Sequence, residues 1–324
     1  MTQAMLSNWL LSAVTGLLGT LIALVVAPQT VRLARRWGAV DKPEARRVHQ
    51  GLMPRLGGIA LVAGSLPAMA VALTHTDGHH LPLVGGMLGA LIVSAIGTVD
   101  DCRRLPWWVK LVGITGAAVL AVALGVRINM VRYPLGGGRL LSLGWSSWVV
   151  TAIWLIVLTN AFNLIDGLDG LAGGLTLISG TTLVVMALGK GGPLLLVGFW
   201  AAGLAGAALG FLYYNFNPAS MIMGDGGAYF LGFSLGCASV TGAMKTPVGM
   251  TLAIPLLVFA IPLVDTTMAV LRRLWRRQPI MSAPDREHLH HRLLDMGMSQ
   301  RQVVLVIYLL SALLCAWAVA LYRG

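Results

Sequence analysis

The chain has 324 residues, 57% of them hydrophobic and 11% charged, whereas a soluble domain of ordinary composition is about a quarter charged. Apolar runs of roughly 20 residues recur from end to end, each long enough to cross about 30 Å of hydrocarbon. This excludes a soluble globular fold, and a β-barrel would instead show short alternating segments.

Ten apolar runs predict an all-α polytopic membrane protein forming a single domain over 1–324, with an eleventh short helix as an alternative. In chain order they are 9–27, 56–74, 83–99, 109–126, 147–163, 171–189, 193–213, 227–244, 248–271 and 302–321. The first run has no basic residue before it and Arg32, Arg35 and Arg36 after it, the reverse of a secretory signal, so it is expected to be retained. Cys102, Cys237 and Cys315 are scattered and read as small apolar fillers, not as a metal or disulfide pattern.

The net charge of +11 is compatible with nucleic-acid binding only if the charge is patterned for it. It is patterned for a membrane instead. With the N-terminus outside, the inside loops 28–55, 100–110, 164–170, 214–226 and 272–301 hold 17 of the 23 Lys and Arg. That asymmetry places those loops in the cytoplasm and both termini outside.

The acidic residues were not used to set this topology, yet they converge on the same side. Only twelve Asp and Glu occur, and intramembrane or rim carboxylates are costly unless used. Asp100 and Asp101 close the third run. Adjacent carboxylates repel, so they want Mg²⁺ or a neighbour such as Lys110; a solvated helix end is the plain alternative. Their position at a helix C-terminus also opposes the macrodipole.

Asn160, Asn163, Asp166 and Asp169 follow at three-residue spacing in Asn-Ala-Phe-Asn-Leu-Ile-Asp-Gly-Leu-Asp-Gly-Leu, on one helical face. Amide and carboxylate oxygens suit Mg²⁺ or the hydroxyls and base of a nucleotide, and Gly167 and Gly170 allow close approach. A capped polar turn is the competing reading. Asp225 stands in Met-Gly-Asp-Gly-Gly ahead of the eighth run, where backbone N–H groups would face phosphate; an ordinary N-cap turn reads the same way.

His288, His290, His291 and Arg292 share a loop with Arg286 and Glu287. Histidines suggest zinc, but the arginines favour anionic phosphates. The loop 41–58, with Arg47, His49 and Pro54-Arg55-Leu56-Gly57-Gly58, would face anionic headgroups or guide a lipid phosphate. Asp265, seven residues before Arg272, either faces the same cavity or pairs with a neighbouring helix.

Together these segments resemble the polyprenyl-phosphate N-acetylhexosamine-1-phosphate transferase family, from about residue 32 to about 300. The resemblance rests on Arg-Arg-Val-His with Pro-Arg-Leu-Gly-Gly, Asp100-Asp101 with Lys110, Asn-Leu-Ile-Asp-Gly-Leu-Asp-Gly-Leu, Met-Gly-Asp-Gly and His-Leu-His-His. The interrupted histidine tract is similar to the WecA/TagO branch and unlike the MraY branch, which usually shows three consecutive histidines. Gly226 is often Thr in relatives, a departure expected to matter little.

The resemblance implies Mg²⁺-dependent transfer (Mn²⁺ as substitute) of N-acetylglucosamine-1-phosphate from UDP-N-acetylglucosamine to undecaprenyl phosphate, releasing UMP. It also implies a bacterial cytoplasmic membrane, a cytoplasmic active site and a homodimer, with membrane lipids but no nucleic acid as partners. Asp225 with Asn163 would hold the metal. Asp100 would act on the acceptor phosphate, supported by Asp101 and Lys110. Asp166 and Asp169 would shape the nucleotide pocket, and His288, His290, His291 and Arg292 would meet the donor. Another UDP-N-acetylhexosamine or UDP-N-acetylmuramoyl-pentapeptide is the alternative donor. A secondary transporter is the alternative class, but it would place its acids at the midplane of repeated, broken helices.

Overall fold

The computed structural model describes residues 3–41, 53–75, 80–132, 140–243, 253–278 and 287–323. Arg47 and His49 lie outside them. In its described residues every apolar run is mainly helix: α1 (Gln3–Trp37), α2 (Gly58–His75), α3 (Leu81–Arg103), α4 (Trp107–Ala123), α5 (Ser146–Ile165), α6 (Leu171–Lys190), α7 (Leu195–Asn215) and α8 (Gly224–Ala243). They continue with α9 (Ala253–Val258), α10 (Ala260–Trp275), the short α11 (Leu289–Asp295) and α12 (Gln300–Arg323). Two small antiparallel ribbons complete the described chain: β1 (Val40–Asp41) with β2 (Met53–Pro54), and β3 (Met130–Arg132) with β4 (Leu140–Ser142).

The expectation of ten equivalent spans is refined. Among the described residues, seven helices (α1, α2, α3, α5, α6, α7 and α12) are long and apolar enough to cross a membrane. The chain is an all-α polytopic membrane protein, and the other runs differ for physical reasons. α4 is shorter, at 17 residues. α8 is less apolar because it carries Asp225 and several Gly, Ser and Thr residues, and nearly all of it is buried among α2, α3 and α5, where it meets protein.

The ninth run is broken in two. Proline has no N–H, so Pro262 cannot donate to the Val258 carbonyl one turn back, and the helix is interrupted at Phe259. That carbonyl instead accepts from Ser179 Oγ at 3.4 Å and Cys315 Sγ at 3.9 Å.

α7 is packed by α1, α2 and α6, and α8 by α2, α3 and α5, so two buried helices form the centre of the bundle. α4 covers α3 and α5, α10 lies on α5, and α12 lies on α6 and α9. Around this centre, α1, α5 and α12 turn exposed Leu10, Leu17, Val25, Ile153, Leu305, Leu309 and Leu313 outward, the surface a hydrocarbon phase would cover. Trp37, Trp107, Trp108 and Trp275 are exposed at helix ends beside the basic loops, where aromatic residues favour the membrane interface.

The approach of α8 to its neighbours positions the site. A Cβ on Gly97 would come within 2.5 Å of the Asp225 carbonyl carbon and the Gly226 nitrogen. A Cβ on Gly58 would come within 2.3 Å of the Gly227 nitrogen. α2 and α3 thus grip the first turn of α8 by its main chain.

Candidate active site

The site is assembled where α3 ends, α4 begins and α8 begins. α3 stops at Arg104, whose φ of +51° breaks the helical path while its N–H still bonds the Asp100 carbonyl at 2.8 Å. Pro106 then supplies an extended residue ahead of α4, which places Lys110 in its first turn. Lys110 Nζ stands 2.9 Å from Asp100 Oδ2 and 3.2 Å from Asp225 Oδ2, so one cation joins the acids of two helices. Asp100 Oδ1 also accepts the Leu105 N–H.

Asp101 points the other way and is almost wholly buried. Its Oδ1 accepts the Asp225 N–H at 3.0 Å and its Oδ2 accepts the Gly226 N–H at 3.1 Å, capping the start of α8. An acid that opposes the dipole of its own helix is repaid by the N-terminus of another. Arg55 Nε donates to Asp101 Oδ1 at 3.2 Å, and an Arg55 terminal nitrogen lies 3.7 Å from Asp225 Oδ1.

Asn163 of α5 and buried Tyr229, one turn further along α8, lie close enough to the Asp225 carboxylate to bear on its charge. Gly226, whose departure from relatives was expected to matter little, sits where a Cβ would lie 2.5 Å from Thr98 Oγ1. Here glycine is what lets α8 meet α3.

The three-residue series does not converge on one point. Asn160 donates to the Ile156 carbonyl of its own helix at 2.8 Å. Asp166, beyond the end of α5, is half-buried and is pushed well above the usual carboxylate range by burial and then by the charge of Asp225. Asp169 is buried and accepts from Asn217 Nδ2 and the Ala219 N–H, both at 3.0 Å, so it fastens the segment between α7 and α8. The turn is further pinned by Asn215, which accepts the Gly170 N–H at 3.1 Å, and by Tyr308 of α12, which donates to the Gly170 carbonyl.

The histidine tract is suspended from α10. Buried Asp265 receives His288 Nδ1 on one oxygen and the Leu289 N–H on the other, each at 2.7 Å. Asp265 thus pairs with the start of α11. The His288 and His290 rings stack with centroids 5.6 Å apart, and His291 lies 4.3 Å from His290.

His290 is buried, and its Nδ1 has no hydrogen-bond partner among the described residues. Its pKa is lowered to about 4, by burial first and then by His291, so the ring is neutral at pH 7. A Cβ on Gly167 would lie 2.6 Å from His290 Nε2, so the aspartate turn and the histidine tract are in direct contact. Arg292 is half-exposed and lies 3.8 Å from Glu287, which also pairs with Arg272 and Arg276, a surface ionic group outside this contact.

Sequence reasoning missed two residues. Arg55 was read only as part of a basic loop, although it sits in the Pro-Arg-Leu-Gly-Gly motif. Tyr229 lies four residues after Asp225, and that i,i+4 spacing was the available signal. Among the described residues no three His, Cys, Asp or Glu side chains are grouped as a ready-made metal cage.

The family model described as glycosyl transferase family 4 matches residues 83–243, the stretch that holds Asp100, Asp101, Lys110, the Asn160–Asp169 series and Asp225. The chain is 39% identical over 301 residues to a probable undecaprenyl-phosphate N-acetylglucosaminyl 1-phosphate transferase of Bacillus subtilis, covering 93% of this chain and 82% of that one. It is 36% identical to a decaprenyl-phosphate N-acetylglucosaminephosphotransferase of Mycolicibacterium smegmatis, covering 92% and 79%. It is 31% identical to an undecaprenyl-phosphate alpha-N-acetylglucosaminyl 1-phosphate transferase of Escherichia coli K12, covering 88% and 77%. This chain belongs to glycosyl transferase family 4.

Proposed function

We infer that this chain transfers N-acetylglucosamine-1-phosphate from UDP-N-acetylglucosamine to undecaprenyl phosphate, releasing UMP. The observation that carries this is the junction of α3, α4 and α8. There Asp100, Asp101 and Asp225 are held by Lys110 and Arg55 at helix ends, beside the exposed apolar Val99 of α3 and Trp107, Trp108 and Val112 of α4. Such a place serves an acceptor whose phosphate is polar and whose chain is lipid. The names of the relatives support the same acceptor class and the same sugar phosphate. The charge asymmetry of the loops supports a cytoplasmic face in a bacterial membrane, with both termini outside. Acids at helix ends, not at a midplane, argue against transport.

Asp225 and Asn163 would hold Mg²⁺. Magnesium is usually bound by one or two protein oxygens together with substrate phosphates, so a site without a three-acid cage fits it. When bound, the metal neutralises the donor pyrophosphate and aligns it. The remaining chemistry falls to the chain's own groups. Asp100, oriented by Lys110 and the Leu105 N–H, receives the proton of the acceptor phosphate or orients its oxygen. That oxygen attacks the β-phosphorus of the donor, the bond from the β-phosphorus to the bridging oxygen breaks, and its electron pair leaves with UMP. Asp101 is a positioning residue that fixes the backbone of Asp225. Asp166, His288, His290 and His291 would border the nucleotide and sugar, and Asp169 holds the wall behind them. A homodimer belongs to the same proposal.

The test is UMP release by purified protein in detergent with Mg²⁺, undecaprenyl phosphate and either UDP-N-acetylglucosamine or UDP-N-acetylmuramoyl-pentapeptide. Release with the first donor, dependent on lipid and metal, is expected. Release with the second donor alone would reassign the sugar.

A further inference from the structure

Asp265 of α10 takes two donors from the start of the histidine tract. Its Oδ2 receives His288 Nδ1 and its Oδ1 receives the Leu289 N–H, each at 2.7 Å, and Asp265 and His288 are both buried. The Leu289 bond fastens the chain, whereas the His288 bond fixes a ring. A carboxylate accepts on both oxygens and is ordinarily a weaker base than imidazole, so the shared proton stays on Nδ1. With Nδ1 committed, Nε2 is the ring's remaining polar atom, and in the neutral ring it carries a lone pair.

The oriented ring belongs to the wall described above. His288 stacks on His290 with the ring planes 3° apart, and His290 abuts Gly167 of the aspartate turn. A lone pair cannot serve an ionised phosphate, whose oxygens only accept. It serves a hydroxyl or an amide N–H, and an N-acetylhexosamine carries both. We propose that Asp265 is a positioning residue for sugar recognition: it fixes His288 with its proton on Nδ1, so that Nε2 accepts a hydrogen bond from a hydroxyl or the acetamido N–H of the donor sugar. This rests on the reading of the histidine tract as a border of the donor site.

Two substitutions separate this role from a purely structural one. In Asp265→Asn the amide oxygen keeps the Leu289 N–H, while the amide NH₂ turns to His288, forces Nδ1 to accept and moves the proton to Nε2. His288→Asn sets an amide N–H near the place of Nδ1, which keeps the bond to Asp265 and removes Nε2. The probes are UDP-N-acetylglucosamine and UDP, each titrated calorimetrically into the full-length protein in detergent with Mg²⁺ at pH 8. Both variants should bind UDP-N-acetylglucosamine roughly tenfold more weakly, the scale of one polar group left facing the wrong partner. They should bind UDP like wild type. In steady state, KM for UDP-N-acetylglucosamine should rise more than kcat falls, with KM for undecaprenyl phosphate unchanged.

The tautomer is read directly from the ¹⁵N signals of the His288 ring, assigned by their loss in His288→Asn. Wild type should show Nδ1 protonated and Nε2 bare, and Asp265→Asn should reverse the pair. A wild-type ring protonated on both nitrogens, or on Nε2 alone, would overturn the proposal. An equal loss of UDP and UDP-N-acetylglucosamine would overturn it too, because it would put His288 at the nucleotide or its phosphates. If Asp265→Asn does not fold, His288→Asn carries the test with its clamp intact; unchanged sugar binding there reduces Asp265 to a fastening between α10 and α11. Wild-type protein that binds no UDP-N-acetylglucosamine would sink the donor reading and this inference together. Wild type that binds it, with variants that bind it equally well, would sink this inference alone.

Discussion

Asp101 accepts the backbone N–H of Asp225 at 3.0 Å, so one acid of the site sets the position of another through the main chain and not through a shared ligand. Its neighbour Asp100 has its carboxylate on Lys110, which also contacts Asp225. Two consecutive acids therefore do separate jobs.

Substitution should separate them. Asp101→Asn weakens the cap of α8 and leaves buried groups with a poorer acceptor, at a cost of about 1–3 kcal/mol. It should lower both the melting temperature in detergent and the rate of UMP release. Asp100→Asn should melt close to wild type and lose turnover by about 10²–10⁴-fold, the range of a lost general base. If both variants lose stability equally, the division of labour is wrong.

Removal of divalent cations by a chelator should stop UMP release, and added Mg²⁺ should restore it. Asp225→Asn should need far more Mg²⁺ for half-maximal rate. Near wild-type turnover of that variant at limiting Mg²⁺ would remove Asp225 from the metal site.

Gly167→Ala should push the His290 ring away, because the new methyl would lie 2.6 Å from Nε2. A displacement of about 1 Å in a site costs on the order of 100-fold in rate. The effect should be non-additive with His290→Ala, since a ring that is absent cannot be displaced. Full additivity in the double variant would disprove the contact.

Acid should destabilise the histidine tract. Burial, followed by His291, lowers the His290 pKa from 6.5 to about 4, so it is the unfolded chain that gains the proton as pH falls through this window. The stability held by neutral His290 is complete above about pH 6.5 and is lost progressively toward pH 4. Melting temperatures measured from pH 7.5 down to pH 5 should fall, and the fall should be shallower in His290→Gln. An identical slope in the variant would assign the effect to another group.

The bundle was legible because hydrocarbon imposes a simple rule on length and composition, and each of the ten apolar runs is mainly helical in its described residues. The rule fails where a helix meets protein or is interrupted. Nothing in a hydropathy pattern shows that α8 is surrounded by other helices, or that Pro262 strips the Val258 carbonyl of its donor. The acids were legible for their rarity, but their partners were not. Asp265 and His288 are 23 residues apart, and Asp101 and Asp225 are 124 apart, distances along the chain that only the fold closes. The regular spacing of Asn160, Asn163, Asp166 and Asp169 suggested one shared role. It conceals several, because α5 ends at Ile165 and the residues beyond it no longer follow its face.

The contact between the first turn of α8 and the glycines of α2 and α3 bears on how this enzyme could be re-engineered. Main chain rests on main chain at Gly58 and Gly97, so no rotamer is available to absorb a change, and randomising positions 58 or 97 would mostly yield inactive protein. The tract 287–292 hangs from α10 by the side chain of Asp265, and side chains can be repacked. A library meant to alter the donor sugar should leave the glycine seam fixed and vary the residues that Asp265 suspends.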